Sequence, residues 1–142
     1  MQVRDLMNPS VVSITPSESA SLAARLLSRH NVGSLPVCGE DGGLRGIVTD
    51  RDIILRCVAA EEDPLKTQVK DIEIREVPGA ARNISLKKAW NLMQDANVVT
   101  LPAVTENNVL EGLITVGDIT KSYMNVLDSS ILSKACTQYS NI

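Results

Sequence analysis

Apolar positions along this chain follow two rhythms. In the first half, "SVVSI" (10–14), "SLPVC" (34–38) and "LRGIVT" (44–49) are short apolar runs bounded by Gly, Pro, Ser and Asp. They predict three β-strands. Between the first two runs, Leu22, Ala23, Leu26 and Leu27 recur at helical spacing. Thr15-Pro16-Ser17-Glu18 just ahead reads as a capping box with Pro at the first helical position, and predicts that the helix starts there. "GEDGG" (39–43) joins the second and third strands as a hairpin. Ile53, Ile54, Leu55 and Val58 then form the apolar face of a second helix, running from Asp50 to about Ala60. The predicted order is strand, helix, strand, strand, helix.

The same grammar returns 66 positions later, without a gap. "QVRDL" (2–6) falls on "QVKDI" (68–72), and "NVGSLPV" (31–37) on "NVVTLPA" (97–103). Glu40, Leu44 and Gly46 fall on Glu106, Leu110 and Gly112. A period this regular means two copies of one supersecondary unit. The second copy predicts a helix capped by Asn83 with Leu86, Ala89, Trp90 and Met93 as its stripe. Its strands are "TLPAV" (100–104) and "LEGLIT" (110–115), joined by the turn "TENNV" (105–109). Residues 1–60 and 68–126 are the two repeats, 61–67 a polar linker and 127–142 a tail. The fold class is α+β. A unit of this size alone buries only about 60% of its unfolded surface. Two β-α-β-β-α units, each with three strands, are therefore expected to pack sheet to sheet about a pseudo-two-fold axis. A cleft is expected on either side of that axis.

Composition narrows the function. The chain has no Phe, one Trp and two Tyr, so its core is aliphatic and stacked-aromatic readout of single strands is disfavoured. The net charge is −3 with no Lys/Arg cluster, which argues against a nucleic-acid surface. Cys38, Cys57 and Cys136 have no metal spacing and read as reduced thiols of a cytoplasmic protein. The opening "MQVRDLMNPS" has no apolar h-region, and no window approaches the ~18 apolar residues of a membrane span. His30 is the only histidine and falls on a helix end. Neither a catalytic triad nor the Asp/His cluster of a two-metal phosphohydrolase can be assembled around it. The chain reads as a non-enzyme, with no catalytic residue, metal site or resident cofactor.

Two stretches carry the candidate chemistry. "GIVTDRDI" (46–53) and "GLITVGDI" (112–119) both turn from strand to helix at a Thr followed three residues later by Asp. On one reading, Thr49 with Asp52 and Thr115 with Asp118 are capping boxes. On the other, the helix start offers N–H groups to an anion, Thr a hydroxyl to phosphate, and Asp two acceptor oxygens to a ribose diol. Gly46 and Gly112, read as preceding the strands, and Gly33 and Gly117 near the clefts would let backbone approach a ligand closely.

Two units with "LPV" or "LPA", a hairpin and G-h-h-T-x-x-D together resemble a tandem pair of cystathionine-β-synthase (CBS) domains, a Bateman module. The resemblance covers roughly residues 1–126. It implies adenosine nucleotides (AMP, ADP, ATP, sometimes dinucleotides or S-adenosylmethionine) in the clefts, a homodimer, and regulation of an attached catalytic domain or partner enzyme. It also implies that the motif Asp holds the ribose and the Thr reaches phosphate. Thr115, Gly117 and Asp118 would then form one site, with Met7, Pro9, Val32 and Gly33 around the base. Thr49, Arg51 and Asp52 would form the other, with Ile72, Ile74, Val98 and Val99. In the second site Arg75 stands where the first has Pro9, and Glu73 and Glu76 add negative charge, so the Asp118 site is expected to bind the tighter ligand. A further likeness, from "QVKDIEIREVPG" through the tail, is to the regulatory region of manganese-dependent family II inorganic pyrophosphatases. The alternative to a nucleotide sensor is a dimerisation or interaction unit whose Thr-x-x-Asp motifs only cap helices.

Overall fold

A computed structural model describes residues 1–124 of the chain. Its elements are helix α1 (Val3–Leu6), helix α2 (Ala20–His30), strands β1 (Ser34–Cys38) and β2 (Leu44–Thr49), and helix α3 (Asp50–Ile53). Helix α3 runs on as a π-helical turn, Ile54–Val58. After a 3-10 turn (Val69–Asp71) come helix α4 (Leu86–Ala96), strands β3 (Thr100–Val104) and β4 (Leu110–Thr115), and helix α5 (Val116–Met124). All four strands fall where the apolar runs place them. Each repeat is an antiparallel hairpin, β1–β2 or β3–β4, with a bulge near its turn.

The predicted first strand of each repeat does not form. In "SVVSI" only Ile14 pairs, in parallel, with Val37. Its N–H donates to the Pro36 carbonyl at 3.0 Å, and its carbonyl accepts from Cys38 at 2.9 Å. Extending this ladder upstream would need an N–H at Pro36, which proline lacks. Pro102 stops the ladder at Ala80 in the same way. The sheets are therefore two-stranded.

The helix starts also differ from expectation. Helix α2 begins at Ala20, capped by Ser19, whose Oγ accepts from Leu22 N at 3.0 Å. Helix α4 begins at Leu86, capped by Ser85 rather than Asn83, with Oγ accepting from Lys88 N at 3.1 Å. The reason lies in the other repeat. Val69 N donates to Glu18 O and Lys70 N to Pro16 O, so residues 16–18 are held by an incoming segment and cannot join the helix. Val3 N and Arg4 N do the same to Ile84 O and Arg82 O. Each serine cap contributes about 1 kcal/mol. Both long helices end at an asparagine in the left-handed region, Asn31 (φ 51°) and Asn97 (φ 54°). Asparagine tolerates that conformation better than most side chains, which accounts for Asn leading both LP segments.

The repeats exchange their opening segments. Val3, with Leu6 and Met7, packs into the core of the second repeat among Leu86, Trp90, Met93 and Ile114. Val69 and Ile72 complete the core of the first, among Ile14, Leu27, Leu35 and Val48. Neither core closes without the other repeat's chain.

The pseudo-two-fold is visible atom by atom. Ser34 Oγ meets its own counterpart, Thr100 Oγ1, at 3.4 Å. At the other end of the hairpins Gly43 pairs with its counterpart Val109. Leu44 N donates to Asn108 O, and Leu110 N to Gly42 O. Both turn positions take positive φ, at Gly42 (79°) and Asn108 (64°).

Candidate functional site

Both Thr-x-x-Asp motifs sit at one end of the molecule, on either side of the axis. Thr49 pairs with Ser34 in the first hairpin and Thr115 with Thr100 in the second. With the Ser34–Thr100 contact, these four hydroxyl residues form a row across the axis. Strand hands over to helix at each motif because the Thr side chain caps the first turn. Thr49 Oγ1 accepts from Asp52 N at 3.1 Å, and Thr49 N donates to Asp52 Oδ2 at 2.9 Å. Thr115 and Asp118 repeat both bonds, at 3.1 and 2.9 Å. The capping geometry is thus complete in both copies. It engages one carboxylate oxygen of each Asp. Asp52 is buried, whereas Asp118 is half-buried.

The exchanged segments supply the neighbouring wall. Asn8 pairs in both directions with Leu113, two residues before Thr115. Met7 is thereby laid over Gly112 beside β4, and Pro9 follows it, exposed. Ile74 pairs likewise with Ile47, two residues before Thr49. Gly46 and Gly112 lie inside β2 and β4 rather than before them. The close approach they permit is by protein: a Cβ at Gly46 would stand 2.5 Å from Ile74 O, and one at Gly112 2.9 Å from Asn8 O.

The remaining candidates divide. Gly33 and Val99 border the row of hydroxyls, with Gly33 O accepting from Asp50 N and Val99 O from Val116 N. Val32, Val99 and Ile74 are open to solvent, and Val98 is partly packed on the second core. Gly117 is half-buried, and Arg51 is exposed on the first turn of α3. Ile72 is a correction: it is 1% exposed and belongs to the first core, because the exchange draws it in beneath Val69 and Leu35. A cavity of about 330 Å³ opens between α2 and α3, with Leu27, Val32, Ile53 and Ile54 on its walls and Asp50 beside them.

Sequence reasoning named the acids of the second opening segment without seeing where they go. Glu73 stands 66 positions after Met7 and takes its place, with Oε2 3.2 Å from where a Cβ at Gly46 would be. Its side chain is 4% exposed. Arg75 Nε reaches Oε1 at 3.5 Å, while Oε2 has no hydrogen-bond partner among the described residues. Burial pushes the carboxyl above the ordinary glutamate range, and the Arg75 guanidinium offsets this only in part. Arg56, on the π-helical turn, donates to the carbonyls of Ile72 (3.1 Å) and Glu73 (3.4 Å) and pins the segment. A raised carboxyl pKa means the folded state holds this proton more readily than the unfolded chain. Its cost is present at neutral pH and fades as pH falls through the folded-state value. Glu73→Gln is therefore expected to stabilise the fold at pH 7.5 by about 1 kcal/mol. That gain should shrink on acidification. Thermal melts across pH 4–8 check it, and a loss of stability at pH 7.5 would show that the Arg75 pair outweighs desolvation.

The CBS domain family matches this chain twice, over residues 3–59 and 69–125. The chain belongs to that family as a tandem pair. It is 37% identical over 123 residues to the CBS domain-containing protein YhcV of Bacillus subtilis, covering 87% of this chain and 86% of that one. It is 39% identical over 80 residues to the cobalt-dependent inorganic pyrophosphatase of Clostridium perfringens, covering 56% of this chain but 15% of the enzyme. That enzyme is named for cobalt, where the resemblance in the sequence implied manganese. Among solved structures, the CBS domain pair of protein MJ0100 in complex with methylthioadenosine and S-adenosyl-L-methionine superimposes with a TM-score of 0.80 at 26% identity. The match covers 88% of this chain and 97% of that one. No helix of the described residues is long and apolar enough to cross a membrane.

Proposed function

We propose that this CBS pair is a regulatory module that binds adenosine nucleotides, AMP, ADP or ATP, and reports their level to a catalytic domain or partner enzyme. One observation carries the reading: each Thr-x-x-Asp helix start is flanked by the other repeat's opening segment, so each cleft is composite and a ligand there touches both halves. The adenosine compounds held by the MJ0100 pair support the ligand class, and the pyrophosphatase relative supports a regulated phosphohydrolase as one partner. In this reading the motif Asp turns its second oxygen to the ribose, the Gly117 N–H and the Thr115 hydroxyl meet the phosphate, and Val32 and Met7 wall the base. Base and ribose then carry much of the affinity. AMP and ATP are expected to raise the melting temperature, GMP to bind several-fold more weakly, and free pyrophosphate not to displace AMP. A thermal-shift panel with competition checks all three. Displacement of AMP by pyrophosphate would overturn these roles.

A second reading is favoured by the complete capping boxes: an interaction unit with empty clefts, for which no nucleotide shifts the melt. Both readings call for a homodimer. Ile54, Leu55 and Val58 are 57%, 50% and 62% exposed on the π-helical turn, and Met124 is 59% exposed on α5. Three large apolar side chains exposed on one turn are a surface that a second copy would cover. Sedimentation should give a dimer at micromolar concentration, and Leu55→Glu should shift it to monomer. The buried Cys38 and Cys57, kept as thiols, suit a cytoplasmic setting.

A further inference from the structure

The hollow between α2 and α3 has a cause that the repeat makes visible. Ala24 opens onto it, and the residue 66 positions on is Trp90, 7% exposed in one core cluster with Val116 and Ile119. Those two are the counterparts of Asp50 and Ile53. The second repeat thus fills the groove between its helices from within, with an indole and a valine. The first repeat has a methyl and a carboxylate at the same positions. It keeps about 330 Å³ open, walled by Leu27, Val32, Ile53 and Ile54. An apolar hollow of this kind is where a partner's side chain anchors.

Beside the hollow stands its opposite in shape. Ile54, Leu55 and Val58 are all exposed on the π-helical turn. Their counterparts are Thr120, Lys121 and Met124, so only the last stays apolar in the second repeat. Knob and hollow share Ile54 and lie on one face. Around them Asp50 and Arg51 on α3, with Arg25 and Arg29 on α2, are exposed. Charges of both signs single out neither an acidic nor a basic partner. A face that carries a knob, a hollow and both charges complements itself, which is what a two-fold contact requires.

We propose that the hollow is a socket for a second copy of this chain. Two first repeats meet about a two-fold axis, and Leu55 of each chain fills the hollow of the other. The proposal rests on the homodimer reading and gives it an orientation, first repeat on first repeat. In the head-to-tail alternative Leu55 would meet a groove that Trp90 already fills. The second repeats, with Trp90 in the groove and Lys121 on α5, therefore lie farther from the axis.

The test uses the full chain. Ala24→Trp, the residue of the sister repeat, fills the hollow at an exposed position, so melts should show a folded protein. Sedimentation should show its dimer weakened at least about tenfold, as for a blocked anchor pocket. Orientation is read separately by spin labels on Arg29→Cys and on Asp95→Cys, its counterpart, both exposed, in a Cys136→Ser background. Cys38 and Cys57 are buried and stay in place. The label-to-label distance across the dimer should be shorter from position 29 than from position 95. An Ala24→Trp dimer as tight as the parent's gives the hollow another occupant, residues 125–142 or a foreign partner, and overturns the socket. Equal distances mean head-to-tail pairing, and a shorter one from position 95 brings the second repeats together; either overturns the orientation. A parent chain that sediments as a monomer overturns the homodimer reading and the socket with it.

Discussion

Asp118→Ala is expected to weaken AMP or ATP binding by about 10- to 100-fold, the 1.5–3 kcal/mol of a charged acceptor lost from a ribose diol. Asp52→Ala should change the affinity for these nucleotides far less. The structure sharpens the comparison in two ways. Asp118 is the more open of the two acids, so its second oxygen is the more accessible to a ligand. In the first repeat the buried Glu73 carboxylate lies over Gly46, where the second repeat has Met7 over Gly112, and its charge disfavours a second anion nearby. Either alanine also removes the acceptor for a Thr N–H, at 2.9 Å in both copies. Each variant should therefore lose a similar ~0.5–2 kcal/mol of stability from the cap while only one loses nucleotide. Calorimetry paired with thermal melts separates the two effects. A larger loss of nucleotide affinity in Asp52→Ala reverses the ranking, and equal melts with unchanged affinity in both leave the capping role as the whole function of the motif.

Gly46→Ala is expected to destabilise the protein by about 2–3 kcal/mol, because the added carbon has nowhere to go. It would lie 2.5 Å from the Ile74 carbonyl oxygen and 3.2 Å from Glu73 Oε2. That carbonyl is not free to retreat: Ile74 and Ile47 exchange hydrogen bonds of 2.9 and 3.0 Å, and Ile72 just upstream is sealed in the first core. Gly112→Ala meets Asn8 O at 2.9 Å and the Met7 sulfur at 3.0 Å, and a methionine side chain yields where a carboxylate held by an ion pair does not. Its cost should be about half as large. Denaturant unfolding of the two single variants checks the order. A Gly46→Ala protein as stable as the parent would mean that the opening segment does not press on β2.

The four strands were legible because each is a short apolar run with a turn at one end, a signal that needs no knowledge of the rest of the chain. The capping bonds of Thr49 with Asp52 and Thr115 with Asp118 were legible for the same reason, since donor and acceptor are three residues apart. Thr15–Glu18 shows where local reasoning stops. Its residues match a capping box, yet their carbonyls at Pro16 and Glu18 accept from Lys70 and Val69, and the helix waits for Ser19. "SVVSI" fails for a different reason: its apolar residues suit a strand, but the neighbour it would extend along presents Pro36.

The sequence by itself determined the repeat, its 66-residue period, the hairpins and the turn from strand to helix at each Thr-x-x-Asp. All of these rest on contacts between residues close in the chain, where spacing and residue type carry the geometry. Only the tertiary structure decided that the repeats trade their opening segments. That exchange places Val3 and Val69 in each other's cores, draws Ile72 away from the cleft, and turns Gly46 and Gly112 into seats for backbone. It also buries Glu73 where its sister is Met7. The two repeats carry nearly the same pattern, so "QVRDL" and "QVKDI" suit either core. Which core each segment completes depends on the chain's path through space, and nothing in the period records it.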